Sequence, residues 1–196
     1  MNSTDLQCQI LTVARASLSA RTDWDEMPEI LVFKRHSDTG VSVQPLPIPD
    51  LLWELFHPAE VIVASARATR TTTIAAEADT VALALRSEGF SISPDTSPQA
   101  AEAIRRRMAG GSTPRNEDIP GRIEQRWINV VDRQGQQYLV TADRLSDGMA
   151  TPAVGHALAG GERLGGAIPE ALELFCRAVW PQSAAAVATG QVGAQQ

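Results

Sequence analysis

The stretch 121–144, GRIEQRWINVVDRQGQQYLVTADR, constrains the fold of this chain more than any other. Two strand-like runs flank Asp132-Arg133-Gln134-Gly135. Asp is favoured at the first position of a type I turn, and Gly can take the left-handed backbone that closes a hairpin with a bulge. The stretch therefore predicts a β-hairpin. Side chains alternate across a strand, so Glu124, Arg126, Ile128 and Val130 share one face of its first strand.

Other elements follow from local signals. Leu6, Ile10, Val13, Ala14 and Leu18 recur at helical spacing after a Ser3 or Thr4 cap, and Arg21 closes that helix near the negative end of its dipole. An acidic loop carrying Trp24 follows at 22–28. Strands are expected at 29–35 and 41–44 around a turn at Ser37-Asp38-Thr39-Gly40, and three prolines within 45–49 end the sheet edge. Asp50 caps a short helix, LLWELF. Pro58 opens another after His57, although Val61-Ile62-Val63 is β-branched throughout and leaves a strand at 60–64 open. Residues 67–78 read as a helix end plus a loop.

From Thr80 the pattern turns to alternation: Val81, Leu83 and Leu85 on one face, Ala82, Ala84 and Arg86 on the other. This predicts a long strand to residue 93, in which Gly89 marks a bulge or a close approach to the backbone. Ser97-Pro98 starts a helix that Gly110-Gly111 stop. The glycine-rich segment 145–166 reads as an irregular connection with a helical turn near 154–159. Pro169 opens a last helix whose face of Ile168, Leu172, Phe175, Cys176, Val179 and Trp180 must pack on the sheet. The tail 182–196 is expected to be disordered. Together these give a single α+β domain over 1–181: a mostly antiparallel sheet of about five strands packed by helices, with the first, fourth and last helices on one face.

Composition excludes more than it assigns. The chain has 196 residues and a net charge of -6, the wrong sign for a surface that binds nucleic acid or anionic lipid throughout. Its 17 cations comprise a single lysine, Lys34, so any chemistry that needs a lysine must use it. Cys8 and Cys176 cannot make a disulfide framework or a four-cysteine zinc site. No basic region precedes an apolar run at the N-terminus, and no apolar stretch approaches the ~20 residues that span a bilayer, so a cytoplasmic protein without membrane contact is expected.

Motif chemistry is equally sparse. No Gly lies five residues before Lys34 to make a P-loop, and neither SxxK nor Glu-x-Lys can be written around it. GxSxG, HExxH, CxxC and GxGxxG do not occur. The Gly160-Gly161-Glu162-Arg163-Leu164-Gly165-Gly166 run matches a phosphate loop in composition alone. His36, His57 and His156 are widely separated and show no metal-ligand spacing. No cofactor and no metal are expected.

Two charge groups remain as candidates. Arg105, Arg106 and Arg107 could contact phosphates, although consecutive residues fan out around a helix and cations suit a last turn. The other group is a polar cluster: if the long strand pairs with the hairpin, Arg86, Glu88, Glu124 and Arg126 meet across the sheet, either as a ligand site or as a salt-bridge network that sets strand register.

The segments VALALRSEGFSIS and RIEQRWINVVDRQGQQYLVTADR, together with the Arg-rich helix before the second, resemble a group of small uncharacterised actinobacterial and phage or plasmid proteins. Arg122, Glu124, Arg126, Val131, Asp132, Arg133, Gly135 and Tyr138 fit that pattern, and Gly89-Phe90 departs from it. The resemblance implies a shared α+β core and carries no activity. The function expected from the residues is a non-catalytic binding or regulatory module acting through protein–protein contacts, by self-association or with a partner, with the acidic Trp24 loop as support. The alternatives are a small hydrolase-like, ligand-binding enzyme using Glu88, Glu124 and Arg126, and a nucleic-acid accessory factor in which Arg105–Arg107 join Arg115 and Arg122 in a basic stripe.

Overall fold

Strand β1 (Glu29–His36) is buried on both faces from Ile30 to Phe33, so the sheet it belongs to needs cover on two sides. A computed structural model shows how that cover is arranged. It describes residues 3–36, 40–159 and 162–181; the expected turn residues 37–39 and the tail 182–196 lie outside the described residues. The other strands are β2 (Gly40–Pro45), β3 (Thr80–Ser91), β4 (Ile123–Asp132), β5 (Gln137–Asp143) and β6 (Val154–Ala157). They form one sheet in the order β2-β1-β3-β4-β5-β6, with every neighbouring pair antiparallel. The architecture is α+β in a single domain.

On one face lies α1 (Ser3–Ser19), which sets Ile10, Ala14 and Leu18 against Leu31, Phe33, Ile128 and Val130. Ala82 and Ala84 of the central strand are small enough to let that helix sit close. On the other face lie α2 (Asp50–Leu55), α3 (Pro58–Arg67), α4 (Thr69–Ala75) and α6 (Ala167–Val179), where Ile62, Leu172 and Phe175 pack on Leu83 and Leu85. The alternation of β3 thus sends alanines to α1 and leucines to α6.

The first, fourth and last helices do not share a face. α1 and α6 cover opposite sides, and α5 (Pro98–Met108) packs in a separate small cluster of Ala100, Ala103 and Ile119 with Ile92. The continuous apolar run in β1 requires this, because a strand buried on both faces cannot be served by one helical layer. Residues 69–75 are a helix rather than the end of one plus a loop. Residues 58–67 take the helical alternative. Pro58 stands at the first turn, Ala59 N–H donates to His57 Nδ1 at 3.2 Å, and the His57 N–H donates to the Glu60 carboxylate at 3.0 Å. His57 is thereby a helix cap.

The expected helical turn near 154–159 is instead the sixth strand. Its residues satisfy the open edge of β5, pairing Val154 with Thr141 and Ala157 with Tyr138. A Cβ at Gly155 would sit 2.8 Å from Val140 Cγ2, so only glycine fits between that edge and α1. The hairpin forms as its turn chemistry demands. Gly135 has φ +84°, its N–H donates to Asp132 O at 2.9 Å, and Asp132 Oδ1 accepts from the N–H groups of Gln134 and Gln136.

Gly89 is a place of close approach, as its position within a strand suggests. A Cβ there would meet Trp127 Cη2 at 2.7 Å, because the indole lies across the glycine from the neighbouring strand. Gly89→Ala is expected to force the indole off its rotamer and to cost about 1–3 kcal/mol in urea unfolding. An unchanged midpoint would mean that Trp127 moves freely.

Candidate functional site

Strands β3 and β4 run past the end of β1, whose first residue, Glu29, pairs with Arg86. Beyond that pair Glu88 stands directly opposite Arg126, and Phe90 opposite Glu124. All of these alternate onto the face that α1 covers, but α1 ends at Ser19. The loop between α1 and β1 covers the part of that face where Glu88 and Arg126 lie. A buried polar cluster is formed beneath it.

Arg126 is its centre, with a side chain only 1% exposed. It donates from Nη1 to Arg21 O at 2.5 Å and from Nη2 to Asp23 O at 2.9 Å, and its guanidinium lies 4.0 Å from the centroid of the Trp24 ring. Glu88, opposite, accepts the Asp25 N–H at 2.7 Å through Oε2. Its Oε1 faces two guanidiniums, Arg126 Nη2 at 3.6 Å and Arg21 Nη1 at 3.8 Å. Asp25 reaches it from a left-handed backbone (φ +67°), a conformation that Asp tolerates better than most residues. Arg21 also meets Glu26 at 2.8 Å and Glu29 at 3.2 Å, and donates to Met27 O. Arg86 pairs with Glu29 and donates to Ser17 O at 3.0 Å.

Three arginines, Arg21, Arg86 and Arg126, therefore face three glutamates, Glu26, Glu29 and Glu88, and the arginines spend much of their donor capacity on backbone carbonyls. Burial pushes the Glu88 carboxyl above the usual range, partly offset by the Asp25 N–H, Arg126 and Arg21. Burial, with Arg86 acting in the same direction, pulls Arg21 down, and Glu26, Glu29 and Glu88 oppose it. This arrangement is built to hold one loop to a sheet. Its donors point at main-chain oxygens of the loop, and its central side chains are closed to solvent.

The sequence-predicted residues are partly brought together. Arg86, Glu88 and Arg126 belong to one cluster. Glu124 is set apart and pairs with Arg144 at 2.8 Å beside an open cleft of about 490 Å³ lined also by Phe90, Arg122 and Leu145. Trp24 connects the two, since Arg144 lies 5.1 Å from its ring centroid and its Nε1 donates to Gly148 O at 2.8 Å. The indole is an anchor for the loop. Compared with known proteins, the chain matches no family model, no curated protein and no solved structure.

Sequence reasoning missed Arg21, Glu26 and Glu29 as members of the cluster. Arg21 had a sufficient local explanation as a helix-closing cation, and the loop carbonyls that organise the site carry no side-chain signature. Arg105–Arg107 stay with local partners: Arg105 and Arg106 reach Glu102, and Arg107 donates to Asn116 Oδ1 at 2.8 Å. Arg115 pairs with Glu117, and Arg122 lies over the Phe90 ring. Lys34 pairs with Glu77. Among the described residues no three His, Cys, Asp or Glu side chains gather to hold a metal ion, and no helix is long and apolar enough to cross a membrane.

A second buried polar group locks the hairpin. Tyr138 OH donates to Asp132 Oδ2 at 2.7 Å, so the carboxylate that shapes the turn also fastens the first residues of β5. Burial raises the Asp132 carboxyl, against four hydrogen bonds that lower it, and burial with Asp132 beside it raises Tyr138. Cys176 lies on the buried face of α6, where burial pushes its thiol far up, while Cys8 is exposed.

Proposed function

We propose that this chain is a binding or regulatory module that acts through protein contacts. The observation that carries this reading is the outer side of α2. Leu51 and Leu55, one turn apart, are 60% and 64% exposed, and Phe56 directly after them is 50% exposed. Trp53 of the same helix is the inward anchor, so the helix is seated while its Leu51 and Leu55, with Phe56 just after it, stay turned to water. Asp50 and Glu54 stand beside them. An apolar row rimmed by charge on a rigid layer is the usual composition of a contact surface. The closed state of the Arg126 cluster supports the same reading, because the most elaborate polar group in the chain is engaged with its own backbone.

The test is a variant with Leu51, Leu55 and Phe56 all changed to serine. Surface positions of this kind leave stability nearly unchanged. Affinity capture with the purified full chain should retain a different protein that the triple variant loses. A wild-type chain that captures no other protein, or a variant that captures the same protein as wild type, would sink the reading.

A further inference from the structure

We propose that the outward face of α3 and α6 is a self-contact, on which a second copy of this chain docks about a twofold axis, with α3 antiparallel to its counterpart. The inference rests on the protein-contact reading and adds to it a second face, apart from the outer side of α2, with one named partner. An open groove of about 560 Å³ runs between these helices, lined by Ala59, Val63, Ala64, Ala167, Ala171 and Leu174. Four of its nine lining residues are alanine. Two helices can therefore approach to the short end of the usual interaxial range, about 8 Å. Leu174, 42% exposed, supplies the large apolar side chain that such a contact would bury.

The rim charges choose the partner. Glu60 and Arg67 both line the groove, both are exposed, and they are two turns apart on one side of α3. The point midway between them falls between Val63 and Ala64. A twofold axis through that point, perpendicular to the helix, sets Glu60 against the second copy's Arg67 and repeats the pair at the other end. A parallel arrangement would set like charges together. Opposite charges at equal distances from the midpoint make this face self-complementary, as an isologous contact requires. Glu60 uses Oε2 to cap α3 and keeps Oε1 for such a pair. The exposed side of α6 repeats the order, with Glu170 near its start, Arg177 near its end and Leu174 between them, although Arg177 also reaches Glu173 at 3.3 Å.

Sedimentation velocity of the full chain over a concentration series provides the test. The wild type should show a monomer–dimer equilibrium. Arg67→Glu should weaken the dimer by about tenfold or more through like-charge repulsion, and the double variant Glu60→Arg/Arg67→Glu should recover it, because the swap rebuilds both pairs. Ala64→Glu, at the centre, should abolish dimers without touching either charge. Thermal midpoints measured alongside separate the loss of the Glu60 cap from the loss of the contact. A wild type that is monomeric at every concentration, or a dimer that Arg67→Glu leaves unchanged or the double variant fails to restore, overturns the proposal. If a different protein binds and the triple α2 variant loses it while the wild type is monomeric, the protein-contact reading stands and the second copy does not.

Discussion

Arg126→Ala is expected to lower the unfolding free energy by about 3–5 kcal/mol, the range for removing one partner of a buried ion pair. The guanidinium is almost wholly out of water and holds two main-chain oxygens of the loop, Arg21 O and Asp23 O. Without it Glu88 stays buried with Arg21, at 3.8 Å, as its one remaining cation beside the Asp25 N–H, and the Trp24 ring loses the nearer of its two cations. Arg126→Lys should recover only part of the loss. An ammonium can replace the charge, but a planar fork is needed to reach two carbonyls and lie flat against an indole at once. Urea unfolding followed by circular dichroism measures both variants. A loss below about 1 kcal/mol for alanine, the range of an exposed ion pair, would show that the loop leaves the cluster open to water.

Phe175→Ala should be as costly, about 3–5 kcal/mol, for a different reason. The ring is fully buried where α6 meets the sheet, among Leu83, Leu85, Val131 and Leu172. Its removal leaves a cavity that strands held in register on both sides cannot close. For a domain of this size that corresponds to a fall of roughly 6–20 °C in the thermal midpoint. A shift under about 2 °C would mean that α6 is not part of the core and that β3 is covered by one helical layer only. The two variants probe opposite faces of the sheet at sites with no shared partners, so their effects should add.

Much of the fold is legible in the chain itself, and particular residues show why. Asp132 and Gly135 specify the hairpin turn because one hydrogen-bonds its own backbone and the other takes a positive φ. Ser97-Pro98 and His57-Pro58 place two helix starts through bonds that span three residues or fewer. The alternation of β3 is equally readable; its pairing with β4, only a condition in the sequence, is made in the fold and sets Glu88 opposite Arg126. Strand β6 is not readable. Val154-Gly155-His156-Ala157 is extended because β5 has an unsatisfied edge and Gly155 tolerates α1 beside it.

The sequence alone, then, determines the turns, the caps, the alternation of the central strands and the placing of Arg86 with Glu88, and of Glu124 with Arg126, on one face of their own strands, because each depends on neighbours within a few residues or on a period of two. Only the tertiary structure decides that α1 and α6 take opposite faces, that Glu124 turns to Arg144, and that Arg126 reaches back to carbonyls 103 and 105 residues away. Ion-pair choice is settled within 3–4 Å, and backbone acceptors look the same at every position in a sequence. The hairpin face that the sequence marks as polar is thus recognisable from its residues, while its use as the fastening of the Trp24 loop follows from what folding brings above it.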